Sequence, residues 1–257
     1  MIGDIYGRPG RETTLRELPK LRKELDLDLV IANGENVSGG RGMLPAHYEL
    51  LLGAGIDLFT SGNHIFGQKQ TRPLLEQKDA KLIRPANYPP AAPGRGNEVI
   101  STRAGRKVAV LNLLGRVFMR ENTDDPFRTA EAWLGEAETK SADERVIDFH
   151  AEATSEKVCL ATFLDGRVSA VLGTHTHVPT ADSRILPEGT GFQSDVGMVG
   201  PIYSSLGVKA ENVIESFLTQ LPFKHEVASG SVAWNSTLLE LESGKTKSIQ
   251  LVHRIFD

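Results

Sequence analysis

Short apolar runs alternate with helix-patterned segments along most of the chain, the layout of a layered α/β fold. The runs over 29–32, 57–60, 107–112, 145–149 and 168–172 are rich in β-branched and aliphatic residues and predict strands. Between them, spacing near 3.6 predicts helices near 12–25, 45–53, 68–77, 128–139 and 154–163. Pro19 falls inside the first of these, so that helix is expected to start late or bend. After His177 the pattern changes to apolar/polar alternation over 223–227, 236–241 and 248–252, which predicts antiparallel strands, with Ser243-Gly244 as a turn and a helix near 209–220 interrupting them. The proline- and glycine-rich stretch 85–96 reads as a loop too short to separate two independent units, so the expectation is a single domain over 1–257.

Polar residues gather just after the strand-like runs, where open α/β sheets collect their ligands. Asp4 ends a first short apolar run, and Asn33-Gly-Glu-Asn36, Ser61-Gly-Asn-His64, His150-Ala-Glu152 and Gly173-Thr-His-Thr-His177 follow four later ones. In an extended segment residues i and i+2 point the same way, so spacing alone aims His175 and His177 at one spot. The inventory Asp4, Glu35, Asn36, Asn63, His64, His150, His175 and His177 mixes oxygen and nitrogen donors, a set suited to manganese, iron or zinc. It is too large for one tetrahedral ion. Two ions sharing one carboxylate would use seven of the eight and leave one for acid catalysis.

Composition narrows the partners. A formal charge of −4 and a pI near 6.0 give no global basic field, so duplex nucleic acid is not an expected partner. The single cysteine, Cys159, cannot form an internal disulfide; it reads as a small buried hydrophobe in a reducing compartment. No apolar run approaches membrane-spanning length and the start lacks a signal-peptide layout, so a cytoplasmic location and no membrane partner are expected. The sequence leaves a homo-oligomer open.

Gly3-Asp4, Gly34-Glu35-Asn36, Gly62-Asn63-His64, His150 and Gly173-Thr-His-Thr-His177 resemble, in order, the five blocks of the calcineurin-like metallophosphoesterases. The longer strings at 3–11, 33–36, 84–87, 148–157 and 180–187 are similar to one bacterial subfamily, the YmdB-like phosphodiesterases that act on 2′,3′-cyclic nucleotides. The resemblance implies an α/β sandwich of two mixed β-sheets flanked by helices, two transition-metal ions per chain with iron preferred to manganese, and a small cyclic nucleotide as substrate. It implies that Asp4 and His177 hold one ion, with Asn36 as an additional ligand, that Asn63, His150 and His175 hold the other, and that Glu35 bridges them. His64 occupies the place of the family's catalytic histidine.

Two departures stand out. Tyr6 stands where the broad superfamily has histidine, and Glu35 where it commonly has aspartate. Only Met1-Ile2-Gly3 precedes Asp4, whereas a buried strand usually has about five residues, so a truncated start and an unusually short strand are both open. Arg8, Arg11, Arg84 and Arg116 are candidates for phosphate or base contacts, while His47, His225 and His253 lie outside the blocks and are assigned no chemistry. Competing functions are a phosphomonoesterase or other dinuclear hydrolase, and a metal-stabilised regulatory protein that binds a nucleotide without turning it over.

Overall fold

The computed structural model describes residues 1–257, whose strands form two six-stranded sheets. The first runs β12 (Lys245–Phe256), β11 (Val232–Glu242), β10 (Met198–Pro201), β1 (Ile2–Ile5), β2 (Ile31–Asn33) and β3 (Leu58–Thr60). Its last four strands are parallel, and β11 and β12 form a long antiparallel hairpin at one edge. The second runs β4 (Asn97–Ser101), β5 (Lys107–Leu114), β6 (Glu144–His150), β7 (Ala170–Thr174), β9 (Gly191–Gln193) and β8 (Arg184–Ile185). Its four central strands are parallel and both edges antiparallel.

The layers follow from strand alternation. Along β5, Val108 and Val110 pack in a cluster with Ile31 and Leu58 of the other sheet, and with Val146 of β6. Ala109, Leu111 and Leu113 join a separate cluster containing Ala130 and Trp133 of α4 (Pro126–Gly135) and Leu160 of α6 (Thr154–Phe163). On the other sheet, Ile2, Ala32 and Phe59 share a third cluster with Leu18 of α1 (Gly7–Glu24) and Leu51 of α2 (Pro45–Gly53). Helix, sheet, sheet and helix are thus stacked, and the central strands are apolar on both faces, which is why their sequences read as continuous runs. Each buried Val, Leu, Ile or Phe among them contributes about 1.5–3 kcal/mol by its burial.

Several local expectations need correction. Helix α1 starts at Gly7 and continues through Pro19, an exposed residue near its last turns, where one backbone N–H is lost on the solvent side. The stretch 223–227 is not a strand; its one β-type pairing is an isolated bridge, Val208 with Val227. The predicted helix near 128–139 is two short ones, α4 and α5 (Ala137–Ser141). Cys159 is exposed, because its turn of α6 directs Leu160 rather than the thiol into the core. Strand β1 has four residues, all buried. No helix is long and apolar enough to cross a membrane.

Candidate metal centre

All the polar blocks emerge from carboxyl ends of parallel strands, and the stacked sheets bring those ends together. Asp4 lies within β1 opposite Asn33 of β2, while His150 closes β6 opposite Thr174 of β7. Buried hydrogen bonds tie the two sheets here: Asn33 Nδ2 donates to Asp148 Oδ2 (3.2 Å), and the Ser61 N–H to Asn112 Oδ1 (2.9 Å). Gly62 is required by contact, since a Cβ there would stand 2.3 Å from the His150 ring.

One group of donors is tightly gathered. His150 Nε2 lies 3.1 Å from Glu35 Oε1, 3.2 Å from Asn63 Oδ1 and 3.0 Å from His175 Nδ1. Glu35, His150 and His175 each offer a ligand atom within 4.8 Å of the others. Behind this group, Thr174 Oγ1 donates its proton to Asp148 Oδ1 (2.8 Å) and so accepts from His150 Nδ1–H (2.8 Å). That relay fixes the ring and leaves Nε2 facing the cluster, the outer support expected of a metal-ligating histidine.

A second group is looser. His177 Nε2 is 3.7 Å from Asp4 Oδ1, and His177 Nδ1–H donates to the Leu206 carbonyl (2.9 Å), again leaving Nε2 inward. Asp4 Oδ1 and Asn36 Oδ1 are buried oxygens with no hydrogen-bond partner. Such orphans are costly unless a cation completes them. Asn36 Nδ2 donates to the Gly40 carbonyl (2.9 Å), which can only accept; the amide orientation is thereby set and its oxygen is the free atom.

The two histidines of the 173–177 block do not share an extended strand. β7 ends at Thr174, and His175 and His177 have φ of 110° and 66°. The chain turns sharply, sending His175 to His150 and Glu35 and His177 to Asp4. A buried pair holds this turn: Asp195 Oδ2 accepts from Lys157 Nζ (2.9 Å) and from the Thr176 N–H (2.9 Å). Non-glycine residues in the left-handed region are strained and persist where surrounding contacts over-determine them.

The electrostatics favour positive charge at the centre. Burial drives the Asp4 carboxyl well above its ordinary range, with Glu35, Asp195 and Asp148 adding to the rise against the pull of His150. Burial also opposes charge on Glu35, yet His150 and His64 outweigh it and hold that carboxyl to about 2. Burial works against a charged His150 as well, but Glu35, Asp4 and Asp148 push it up to about 9. His175, buried and beside His150, is lowered to about 3.

Asn63 and His64 lie in a turn rather than an extended stretch, yet they still diverge. Asn63 faces His150, while His64 lines a cavity of about 290 Å³ together with Arg41, Phe118, Arg120, Glu121 and His175. The Glu35 carboxylate accepts the His64 backbone N–H (2.7 Å). His64 Nδ1 accepts from Asn36 Nδ2 (3.2 Å), which puts the ring proton on Nε2. Burial lowers the His64 pKa, so the neutral ring presents that N–H near pH 7.

Of the four predicted arginines none lines this cavity. Arg84 is spent on four carbonyls, those of Pro85, Ala86, Ala92 and Pro93; Arg8 pairs with Glu12; Arg11 donates to the Val37 carbonyl. Arg41 and Arg120 are there instead, and the ring of His175, which also lines the cavity, has its Nε2 3.1 Å from Glu152 Oε2. The strand-end rule would have found residues 116–121 had β5 been extended to Leu114. A larger cavity of about 520 Å³, at the amino ends of the parallel strands, is walled by side chains such as Leu29, Val108, Val146 and Leu239 and contains no histidine.

Donor atoms around an ion with bonds of ~2.1 Å stand about 3 Å apart, the spacing found around His150 Nε2. With the two orphaned oxygens alongside and no thiolate present, the residues fit transition-metal ions. A family model described as YmdB-like protein matches residues 1–252. A 2′,3′-cyclic-nucleotide 2′-phosphodiesterase of Bacillus subtilis is 41% identical over 97% of this chain and 93% of its own length. A putative phosphatase/phosphodiesterase of Mycoplasma genitalium is 38% identical over 99% and 90%. The crystal structure of a hypothetical protein from Thermus thermophilus superposes with a TM-score of 0.93 at 42% identity, covering 99% of this chain and 97% of that one. A phosphatase from Mycoplasma pneumoniae gives 0.91 at 33%, covering 99% and 92%.

Proposed function

The chain belongs to the YmdB-like family and is a metallophosphoesterase, and from that premise we propose that it hydrolyses 2′,3′-cyclic nucleotides as one domain over 1–257. The observation that carries the reading is the meeting of Glu35, Asn63 and His175 at 3.0–3.2 Å from His150 Nε2, next to the free oxygens of Asp4 and Asn36. Asn63, His150 and His175 would hold one ion, Asp4, Asn36 and His177 the other, and Glu35 both. Iron is preferred and manganese is the alternative, since the donors are carboxylate, amide and imidazole. Bound ions would supply Lewis acidity toward the phosphoryl oxygens and hydroxide near neutral pH.

The chain's own groups then divide the work. The Asn33, Asp148 and Thr174 relay holds His150 in one tautomer. Asp195 holds the turn that separates His175 from His177. His64, steadied by Asn36 and Glu35, presents Nε2–H to the leaving ribose oxygen and stabilises its developing charge. Rupture of the 2′ bond gives a nucleoside 3′-monophosphate. Arg41 and Arg120 add positive charge at the mouth, which suits a phosphodiester anion.

The test measures metal content and turnover on one sample, comparing 2′,3′-cyclic nucleotides with phosphomonoesters. Turnover of the cyclic substrates that tracks metal occupancy is expected. Turnover of monoesters alone would replace this reading with a phosphatase, in keeping with the names of the Mycoplasma relatives. Binding without turnover in fully metallated protein would make it a regulatory binder.

A further inference from the structure

We propose that the loop following β5, residues 116–121, is a nucleobase platform, with Phe118 stacking on the base and Glu121 accepting a hydrogen bond from the substrate. The proposal rests on the cyclic-nucleotide reading and names the part of the substrate which that reading leaves unheld. Phe118 is 85% exposed, a large apolar ring standing in water at the rim of the cavity that also holds Asn63, His64 and His175. Its φ of 63° is left-handed, a conformation that an ordinary solvent loop would give to glycine or asparagine. The backbone therefore carries strain to present an aromatic face that nothing in the chain covers.

The loop is anchored at both ends. Glu156 of α6 accepts the N–H groups of Arg116 (3.0 Å) and Val117 (3.2 Å), and the Met119 N–H returns to the Arg116 carbonyl (3.3 Å). Asn87 clasps the flanks, donating to the Leu114 carbonyl (2.7 Å), accepting from the Leu114 N–H (2.9 Å) and receiving the Asp124 N–H on its own carbonyl (2.8 Å). Phe118 is thus a fixed platform rather than a loose tip. Glu121 supplies the second observation: its Oε2 is buried with no partner, and the residue lines the same cavity. An unpaired carboxylate oxygen beside an exposed aromatic ring is matched by a ligand with a π face and N–H or O–H donors. A nucleoside has both, and every base offers the face. The cavity's ~290 Å³ is at the small end of the usual range for small-molecule sites.

The experiment compares KM for adenosine 2′,3′-cyclic phosphate with KM for ribose 2′,3′-cyclic phosphate, which lacks the base, using metallated full-length protein. Phe118→Ala should raise the first about ten-fold more than the second, the loss expected of one stacked base. Phe118→Trp should restore the ratio, and Glu121→Gln should shift preference among the four bases. Equal KM changes for both substrates, no change for either, or failure of Trp to rescue would overturn the platform. If wild-type protein turns over no cyclic nucleotide, the proposed function fails separately, and the Kd of adenosine 3′-monophosphate for wild type against Phe118→Ala still decides the subsite.

Discussion

The two halves of the centre are built differently. Around His150 three donor atoms stand at 3.0–3.2 Å, whereas in the other half the pair Asp4 and His177 stands at 3.7 Å and two buried oxygens have no partner. The first half rests on strand ends of both sheets and on the buried relay through Thr174 and Asp148. The second depends on His177, whose ring is fastened to another loop through Leu206, and the strained turn is common to both halves because His175 also has a positive φ. Preorganisation therefore differs between them, and with it the expected affinity: the His150 half should fill first and the Asp4 half only at higher metal concentration.

The largest effect should come from Glu35, the carboxylate proposed to serve both halves. Glu35→Gln keeps the volume and removes the charge, so metal content should fall toward zero and turnover by on the order of 10³-fold; elemental analysis with parallel assays checks it. Full occupancy with unchanged turnover would place the shared carboxylate elsewhere. His175→Ala and His177→Ala break the halves singly. The former should lose the tighter ion and weaken the second, while the latter should retain about one ion per chain under the same dialysis. Equal losses in the two variants would mean that the asymmetry has no energetic consequence.

His64→Ala should separate chemistry from metal binding. Both ions should remain, and turnover should drop about 10²-fold on alkoxide leaving groups and less on nitrophenolate, which needs little help in leaving. Loss of metal would identify His64 as a ligand, and equal loss on both substrates would make it a positioning residue. The smallest effect is expected at one remove. Asp195→Asn loosens the turn between the halves and leaves Lys157 buried without its counter-charge, so metal affinity should fall about ten-fold and thermal stability should drop. A variant with wild-type Tm and occupancy would show that the turn is held without it.

Much of this could be read from the chain alone. β-branched and aliphatic runs marked the central strands, because a strand buried on both faces needs apolar residues throughout. The short polar blocks after those runs contain the donors that the fold gathers at one end of the sandwich, Glu35, Asn63, His150 and His175 with Asp4 and His177 alongside. The element ends were less legible: β5 runs to Leu114 rather than 112, and of the 116–121 loop that follows only Arg116 stood out in the sequence. Arg84 sits within a motif of the family resemblance and still makes only structural contacts, since a guanidinium surrounded by backbone carbonyls looks no different in sequence from one facing a phosphate.

What the sequence by itself determined was the donor chemistry and its position at strand ends, both local properties of residue type and spacing. What the tertiary structure alone decided was the unequal build of the two donor sets that the family resemblance implies, one tight and one open. Alternation along an ideal strand would have aimed His175 and His177 together; two positive φ angles part them, held by Asp195 from a different strand connection. It also decided which arginines and which aromatic ring reach the cavity. Such outcomes depend on segments more than a hundred residues apart meeting at one end of the sandwich, as Asn33 meets Asp148. No local periodicity encodes that meeting, because it is set by how two sheets pack and not by the order of residues within either.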